Sequence, residues 1–221
     1  MRVLIAPFRP ILADPALRLA AVLLVLFGAY AATMAPYVSA LAVTVFEMTD
    51  RAYSALLVAA SILAVSASVG FGILADQRAN RRAIALISGG FLVAGLGTVH
   101  LGQSLWAFVL AHAVLLPLSG SLFGQIFALG RLAASTRPDA ERPAINATLR
   151  ALFALPWVVV LPIWSVVFQT GAPLMLVYPV SLAMGAAFLG LTWAFWPRDG
   201  ATRWPDPKSG LSFTQGQREL A

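Results

Sequence analysis

Residues 83–130 read AIALISGGFLVAGLGTVHLGQSLWAFVLAHAVLLPLSGSLFGQIFALG. This stretch contains no lysine, arginine, aspartate or glutamate, and it decides the fold class. A helix that spans a bilayer needs roughly 20 apolar residues at about 1.5 Å of rise per residue, so the stretch is long enough for two spans. The polar interruption HLGQS at 100–104 lies near its middle and predicts the turn between them.

Three further stretches without charged residues lie on either side of this one, at 19–46, 52–75 and 151–197. The first two have room for one span each, and the third, interrupted by QTGAP at 169–173, has room for two. A cleaved signal peptide is the alternative interpretation of the first stretch, but its uncharged run is longer than a typical signal core. We therefore predict an all-α polytopic membrane protein with six transmembrane helices, at about 17–38, 52–75, 83–101, 105–129, 144–168 and 173–196.

The composition excludes several classes of protein. Hydrophobic residues make up 60% of the chain, charged residues make up 11%, and the mean hydropathy is +0.84, whereas soluble domains have about 25% charged residues. The chain has no cysteine, which excludes disulfides and thiolate chemistry. With only His100 and His112 as imidazoles, a metal site is hard to assemble. We expect no cofactor and no metal.

The positive charge falls almost entirely on one side of the predicted spans. Arg51 stands alone in a loop of the opposite side. Cytoplasmic loops carry the excess of lysine and arginine, so we expect both termini in the cytoplasm. This topology accounts for the net charge of +6, and nucleic-acid binding loses its support. The other basic residues are Arg2, Arg9, Arg18, Arg78, Arg81, Arg82, Arg131, Arg137, Arg142, Arg150, Arg198, Arg203, Lys208 and Arg218.

Composition also divides the chain into two parts. Residues 1–197 contain the predicted bundle, and residues 198–221 are polar and rich in proline and glycine, without apolar periodicity. We expect the second part to be a flexible cytoplasmic tail.

Polar side chains inside the spans are expected to face other helices or a water-filled cavity, because lipid-facing polar groups are costly. Helical spacing places them on common faces. The candidates for contacts with a solute are Tyr30 and Thr33 on the first helix, Gln125 on the fourth, and Asn146, Arg150 and Trp157 on the fifth. For the intramembrane serines, and for the GxxxG step of Gly120 and Gly124, we favour close helix packing, because small residues are enriched at such interfaces.

Two residue types within the spans can carry charge. Arg150 lies some six residues inside the predicted fifth span, where an ionisable residue indicates a functional site, although snorkelling toward the headgroups is an alternative. His112, in the fourth span, is a better candidate for carrying a proton than His100. For both histidines we favour a packed or interfacial role.

The loop between the second and third helices, GILADQRANRR at 72–82, resembles motif A of the major facilitator superfamily. The matching residues are Gly72, Asp76, Arg78, Arg81 and Arg82, and Ala79 stands where the motif has its second glycine. The resemblance implies a gating role for these residues, in which Asp76 pairs with arginine or caps a helix and the arginines meet anionic headgroups.

Two further segments, GQIFALGR at 124–131 and LRALFALPWVVVLP at 149–162, are similar to the fourth and fifth helices of bacterial sugar efflux transporters. The match includes Gln125, Arg131, Arg150, Trp157 and Pro162. Leu132 replaces an acidic residue of that pattern, and Val160 and Leu161 replace a glycine and a proline. The resemblance covers about residues 24–196, which is the N-terminal six-helix half of such a transporter.

This resemblance implies secondary active efflux of a sugar or sugar-like solute coupled to protons, as an antiporter in the bacterial inner membrane. Superfamily transporters alternate access between two six-helix halves, so we expect a second copy or a complementary half as the partner of a functional chain. A truncated remnant or a non-transporting assembly partner is the alternative. An intramembrane enzyme is less favoured, because neither a G-x-S-x-G setting nor an H-E-x-x-H motif is present.

Overall fold

The computed structural model describes residues 8–78, 80–199, 202 and 204. Within these residues the chain forms helices and turns and no strand. Six helices are long and apolar enough to cross a membrane, and they are α1 (Pro15–Val45), α2 (Asp50–Gln77), α3 (Arg81–Gly102), α4 (Leu105–Ala134), α5 (Arg142–Gln169) and α6 (Leu174–Phe195). An all-helical fold with six helices of spanning length is therefore confirmed.

Two helices are longer than the sequence predicts. Helix α1 continues past a turn at 35–37 and ends in a π-helical segment at Leu41–Val45, and α4 continues past Arg131 to Ala134. In a bilayer every backbone polar group must be satisfied within the protein, which favours continuation of the helix over an early loop. The other four helices agree with the predicted limits to within two residues.

Side chains and backbone geometry set the helix ends. The Asp14 carboxylate accepts hydrogen bonds from the backbone N–H groups of Ala16 at 2.9 Å and Leu17 at 3.1 Å, and so caps the start of α1. Gln103, with a φ of 39°, ends α3 in the left-handed conformation, and Ser104 caps α4 at once. The interruption at 100–104 thus forms the predicted tight turn.

Helix α1 lies at the centre of the bundle, in contact with α4, α5 and α6. It approaches α5 closely at Gly28, where an added Cβ would lie 2.3 Å from the carbonyl oxygen of Phe153. The absence of a side chain at this position therefore lets the α1 and α5 backbones come together, as small residues do at membrane helix interfaces.

The helix pairings relate two units of three helices, α1–α3 and α4–α6. Helix α1 packs on α5 and α6, and α4 packs on α2 and α3 in the corresponding way, while α1 meets α4 and α3 meets α6. Because the chain crosses an odd number of times between α1 and α4, the two units run in opposite directions. This is the arrangement of an inverted repeat of three helices, which the sequence by itself does not reveal.

Among the described residues, two buried side-chain hydrogen bonds and a partly buried one link different helices. Trp164 of α5 donates its indole N–H to the Thr33 hydroxyl of α1 at 3.1 Å. The hydroxyls of Ser88 on α3 and Ser121 on α4 lie 2.7 Å apart. A third bond, of 2.9 Å, joins the Nε2 of His112 on α4 to the Tyr178 hydroxyl on α6.

Ionic contacts gather at one end of the bundle, which we call the basic end, around Asp14, Asn80, 135–141 and 196–199. The Arg82 guanidinium donates to the carbonyl oxygen of Trp193 at 2.7 Å, and Asp199 accepts from the Arg82 backbone N–H. On the other side, Arg137 lies 4.0 Å from the Asp14 carboxylate. These contacts connect the end of α6 to the start of α3, and the start of α1 to the loop between α4 and α5.

Most of the predicted tail, 198–221, lies outside the described residues. Of the tail residues that the structure describes, Trp204 is buried and its carbonyl oxygen accepts a hydrogen bond from the Thr202 hydroxyl at 3.1 Å.

Candidate solute-binding cleft

An open cleft of about 550 Å³ separates the second half of α4 from the first half of α5. Its volume lies within the range of about 300–1,000 Å³ that is usual for small-molecule sites. The residues that line it are Phe123, Gly124, Phe127, Ala128, Arg131, Asn146, Arg150 and Phe153.

Helical periodicity explains why these residues share one cleft. Positions 123/124, 127/128 and 131 of α4 recur at intervals of three and four, and so do positions 146, 150 and 153 of α5. Residues at such intervals lie on one face of a helix. The two faces turn toward each other across the cleft because α4 and α5 are joined by the short connection 135–141 and pack as neighbours.

Phenylalanine rings form the inner part of the cleft. The Phe123 ring contacts the rings of Phe127 and Phe153 edge to face, with both centroid distances at 4.7 Å. Phe27 of α1 lies behind them, with its centroid 5.9 Å from Phe123 and 6.3 Å from Phe153. These edge-to-face contacts have the geometry that aromatic pairs prefer, so the inner wall is apolar and well packed.

Polar groups form the outer part of the cleft, nearer the basic end. Arg131 and Arg150 are exposed, and Asn146 is half-buried. Arg150 lies about 12 Å along the α5 axis from Arg142, at 1.5 Å per residue, and is thus well inside the spanning helix. Across the described residues, the side chains of Arg131 and Arg150 form neither an ion pair nor a hydrogen bond.

Gly124 contributes open space to the cleft. An added Cβ at Gly124 would meet no atom within 4 Å, whereas one at Gly120 would lie 3.0 Å from the Pro117 carbonyl and 3.3 Å from the Ser68 hydroxyl of α2. The GxxxG step predicted as a packing site therefore packs at Gly120 only, and Gly124 faces the cleft. Two glycines one helical turn apart therefore have different roles, since Gly120 contacts α2 and Gly124 forms part of the cleft wall.

Two of the predicted solute-contacting residues, Asn146 and Arg150, come together in the cleft. Gln125 does not line it, since its side chain is buried in the bundle and its Oε1 atom has no hydrogen-bond partner among the described residues. Trp157, one turn deeper on α5, is partly buried and is not among the lining residues.

The two predicted residues of α1 have other environments. Thr33 is fully buried and accepts the hydrogen bond of Trp164, so its hydroxyl holds α1 to α5. Tyr30 is partly buried, and its ring packs against Phe27 at 5.6 Å. Neither residue lines the cleft.

The predicted gating residues lie at the basic end, between α2 and α3. The Asp76 carboxylate pairs with Arg81 at 2.6 Å, and Arg82 reaches across to α6 through the Trp193 carbonyl. Gly72 has no atom within 4 Å of an added Cβ. The side chain of Arg78, like residue Ala79, lies outside the described part of the chain.

Sequence reasoning missed the aromatic wall and the second arginine as site residues. Counting back from Arg131 by helical turns leads to Phe127, Gly124 and Phe123, and counting forward from Arg150 leads to Phe153. The helical spacing therefore indicates the faces of α4 and α5 that line the cleft. The serine and tyrosine patterns indicate other faces, which pack inside the bundle.

The described residues contain no group of three or more His, Cys, Asp or Glu that could hold a metal ion. No protein-family model, curated protein or solved structure matches the chain. The cleft is thus the feature from which a function can be argued.

Proposed function

We propose that this chain is a half-transporter of the major facilitator type that moves a small polar solute, sugar or sugar-like, across the bacterial inner membrane in exchange for protons. The observation that carries the proposal is the cleft between α4 and α5. It places an amide and two guanidinium groups beside aromatic rings within an apolar helical bundle. Amide and guanidinium groups can hydrogen-bond hydroxyls, and rings can pack against the apolar face of a sugar.

The helix pairings support the superfamily assignment. Each half of a major facilitator transporter contains two inverted units of three helices. The correspondence of α1, α2 and α3 to α4, α5 and α6 in this bundle is of that kind. It adds an argument from topology to the resemblance of the loop at 72–82.

The Asp76–Arg81 ion pair supports a gating role for the same loop. The two residues hold the end of α2 against the start of α3 at the basic end. A movement that separates these helices has to break the pair, so the pair favours one arrangement of this end of the bundle. The arginine-rich loops of the basic end would face the cytoplasm, because cytoplasmic loops carry the excess of lysine and arginine.

The surfaces of α2 and α5 support the half-transporter interpretation. Only 11% of the most apolar part of each helix is buried within the bundle, against 50% for α1. The exposed residues include the apolar Val58, Ile62 and Val65 on α2 and Val158 and Ile163 on α5. These faces suit either lipid or a second bundle, and the same observation favours the alternative of an assembly partner that does not itself transport.

Solute flux in proteoliposomes tests the proposal. The full chain is reconstituted in vesicles loaded with radiolabelled methyl glucoside or glucose 6-phosphate, and release is followed with and without an imposed proton gradient. We expect gradient-dependent release that the Arg150→Gln variant slows and the Arg198→Gln variant does not. Flux equal to that of empty vesicles for both sugars, under either direction of the gradient, rules out transport by the chain alone.

The mass of the protein in detergent separates the two alternatives. Native mass spectrometry and crosslinking are applied to the same preparation that is reconstituted. A stable dimer together with flux supports a working pair of halves. A monomer without flux favours the assembly partner or remnant.

A further inference from the structure

The outer part of the cleft holds more positive charge than its surroundings neutralise. Arg131 and Arg150 line the same cleft from two different helices. Other arginines of the basic end have carboxylate partners, with Asp139 lying 2.5 Å from Arg142, Asp76 lying 2.6 Å from Arg81, and Asp14 lying 4.0 Å from Arg137. Over the described ranges, neither cleft arginine has one.

Two guanidinium groups in one cleft repel each other, and the repulsion grows where the surroundings are less polar than water. An ionisable residue within a membrane span is usually paired or serves a transported ligand. The described residues supply no carboxylate for this pair of charges, and an anion bound in the cleft would neutralise it.

We propose that the cleft binds an organic anion, with a phosphate or carboxylate group held by Arg131, Arg150 and Asn146 and a flat apolar face packed against Phe123, Phe127 and Phe153. The inference deepens the proposed transport function and rests on it for treating the anion as a carried solute. Guanidinium groups match phosphate and carboxylate oxygens in paired hydrogen bonds, and the Asn146 amide adds a neutral donor.

The aromatic wall restricts the class of anion. A bare inorganic anion would leave the ring faces of the inner cleft without contact. An anion that carries an aromatic ring or a sugar ring fills both parts, because the lining residues of α4 extend from Phe123 to Arg131, or about 12 Å at 1.5 Å per residue. We therefore expect tight binding only of a ligand that carries both an anionic group and a ring.

Calorimetry on the full chain in a neutral detergent tests this without any flux. The probes are phenyl phosphate, inorganic phosphate and phenyl glucoside, of which only the first carries both a charge and a ring. We expect phenyl phosphate to bind at least tenfold more tightly than either of the other two. Equal binding of phenyl phosphate and phenyl glucoside, or no binding of phenyl phosphate, overturns the proposal.

Variants assign the charge and the ring to their partners. Arg131→Gln and Arg150→Gln should each weaken phenyl phosphate binding about tenfold, whereas Arg198→Gln, which removes an exposed charge outside the cleft, should leave it unchanged. Phe127→Ala should weaken phenyl phosphate but not inorganic phosphate. If either glutamine variant is unstable, the corresponding lysine variant, which keeps the charge but not the paired donors, should bind with intermediate affinity. Unchanged binding in the double variant of Arg131 and Arg150, or an equal loss in Arg198→Gln, contradicts the proposal.

An anionic lipid headgroup presents the same phosphate chemistry as a soluble solute. The binding of phenyl phosphate is therefore repeated in nanodiscs of phosphatidylcholine with and without phosphatidylglycerol. Competition by phosphatidylglycerol that disappears in the double variant assigns the cleft to a lipid, and binding without such competition assigns it to a soluble anion. Binding without flux would refute the proposed transport and leave the anion site, whereas flux of methyl glucoside without phenyl phosphate binding would refute the anion site alone.

Discussion

Replacement of Gly28 by alanine should weaken the contact between α1 and α5 and deform the cleft. The new Cβ would lie 2.3 Å from the Phe153 carbonyl oxygen and 3.2 Å from the Pro156 ring, while ordinary contacts are 3.4–4 Å. The obstacle is backbone, which cannot rotate away as a side chain does, so the two helices have to separate locally by about 1 Å. A gap of that size forfeits roughly a quarter to a half of the dispersion energy of the atoms across it.

Overpacking of this kind costs about 1–3 kcal/mol. At about 2–4 °C per kcal/mol for a chain of this length, the unfolding temperature of Gly28→Ala should fall by several degrees. Thermal unfolding of the detergent-solubilised chain, followed by circular dichroism, measures this. Gly70→Ala is the matched control, because an added Cβ at Gly70 meets no atom within 4 Å and both substitutions change helix propensity alike. Equal unfolding temperatures for the two variants would refute the close approach of α1 and α5.

Three further predictions test separate parts of the bundle. Thr33→Val leaves the buried Trp164 indole N–H without its acceptor and should cost between about 0.6 and 1.7 kcal/mol, the average and the maximum for interhelical bonds in a membrane protein; Thr98→Val, which removes a hydroxyl bonded within its own helix, should cost less in the same unfolding assay. Asp14→Ala removes the cap of α1 and should cost about 0.5–2 kcal/mol, whereas Asp14→Asn, which keeps an accepting oxygen, should recover most of the stability; a loss as large in the asparagine variant would contradict the cap. Asp76→Asn breaks an exposed ion pair with Arg81, so it should change stability by less than about 1 kcal/mol but alter proteoliposome flux, and unaltered flux would argue against gating.

The six long apolar helices could be predicted from the sequence because the thickness of a bilayer fixes how many apolar residues a spanning helix needs. An uncharged run such as 83–130 has to be helical and has to turn once, and HLGQS is the one place in it where several polar residues come together. The ends of α1 and α4 could not be predicted as well. Residues such as Arg131 are compatible with a helix that extends into the headgroup region, since the long side chain can reach water from there.

The site was predicted only in part, because spacing identifies a face but not what that face meets. Asn146 and Arg150 were found since their face of α5 is open. Gln125 and Thr33 were placed at a cavity by the same rule, yet their faces are covered by neighbouring helices. The number of polar atoms on a helix face does not show whether that face lines a cavity or packs against a neighbouring helix. A buried hydroxyl such as that of Thr33 can be satisfied by a single indole N–H.

The Phe27 ring touches aromatic rings on three other helices, Phe123 of α4, Phe153 of α5 and Phe188 of α6. Close-packed interiors have low compressibility and transmit displacement. Any occupant that displaces Phe123 or Phe153 should therefore also shift Phe27, and through it Phe188 of α6. Fluorine-labelled phenylalanine at position 188 would register such an occupant by a change in chemical shift, although that ring lies outside the cleft wall.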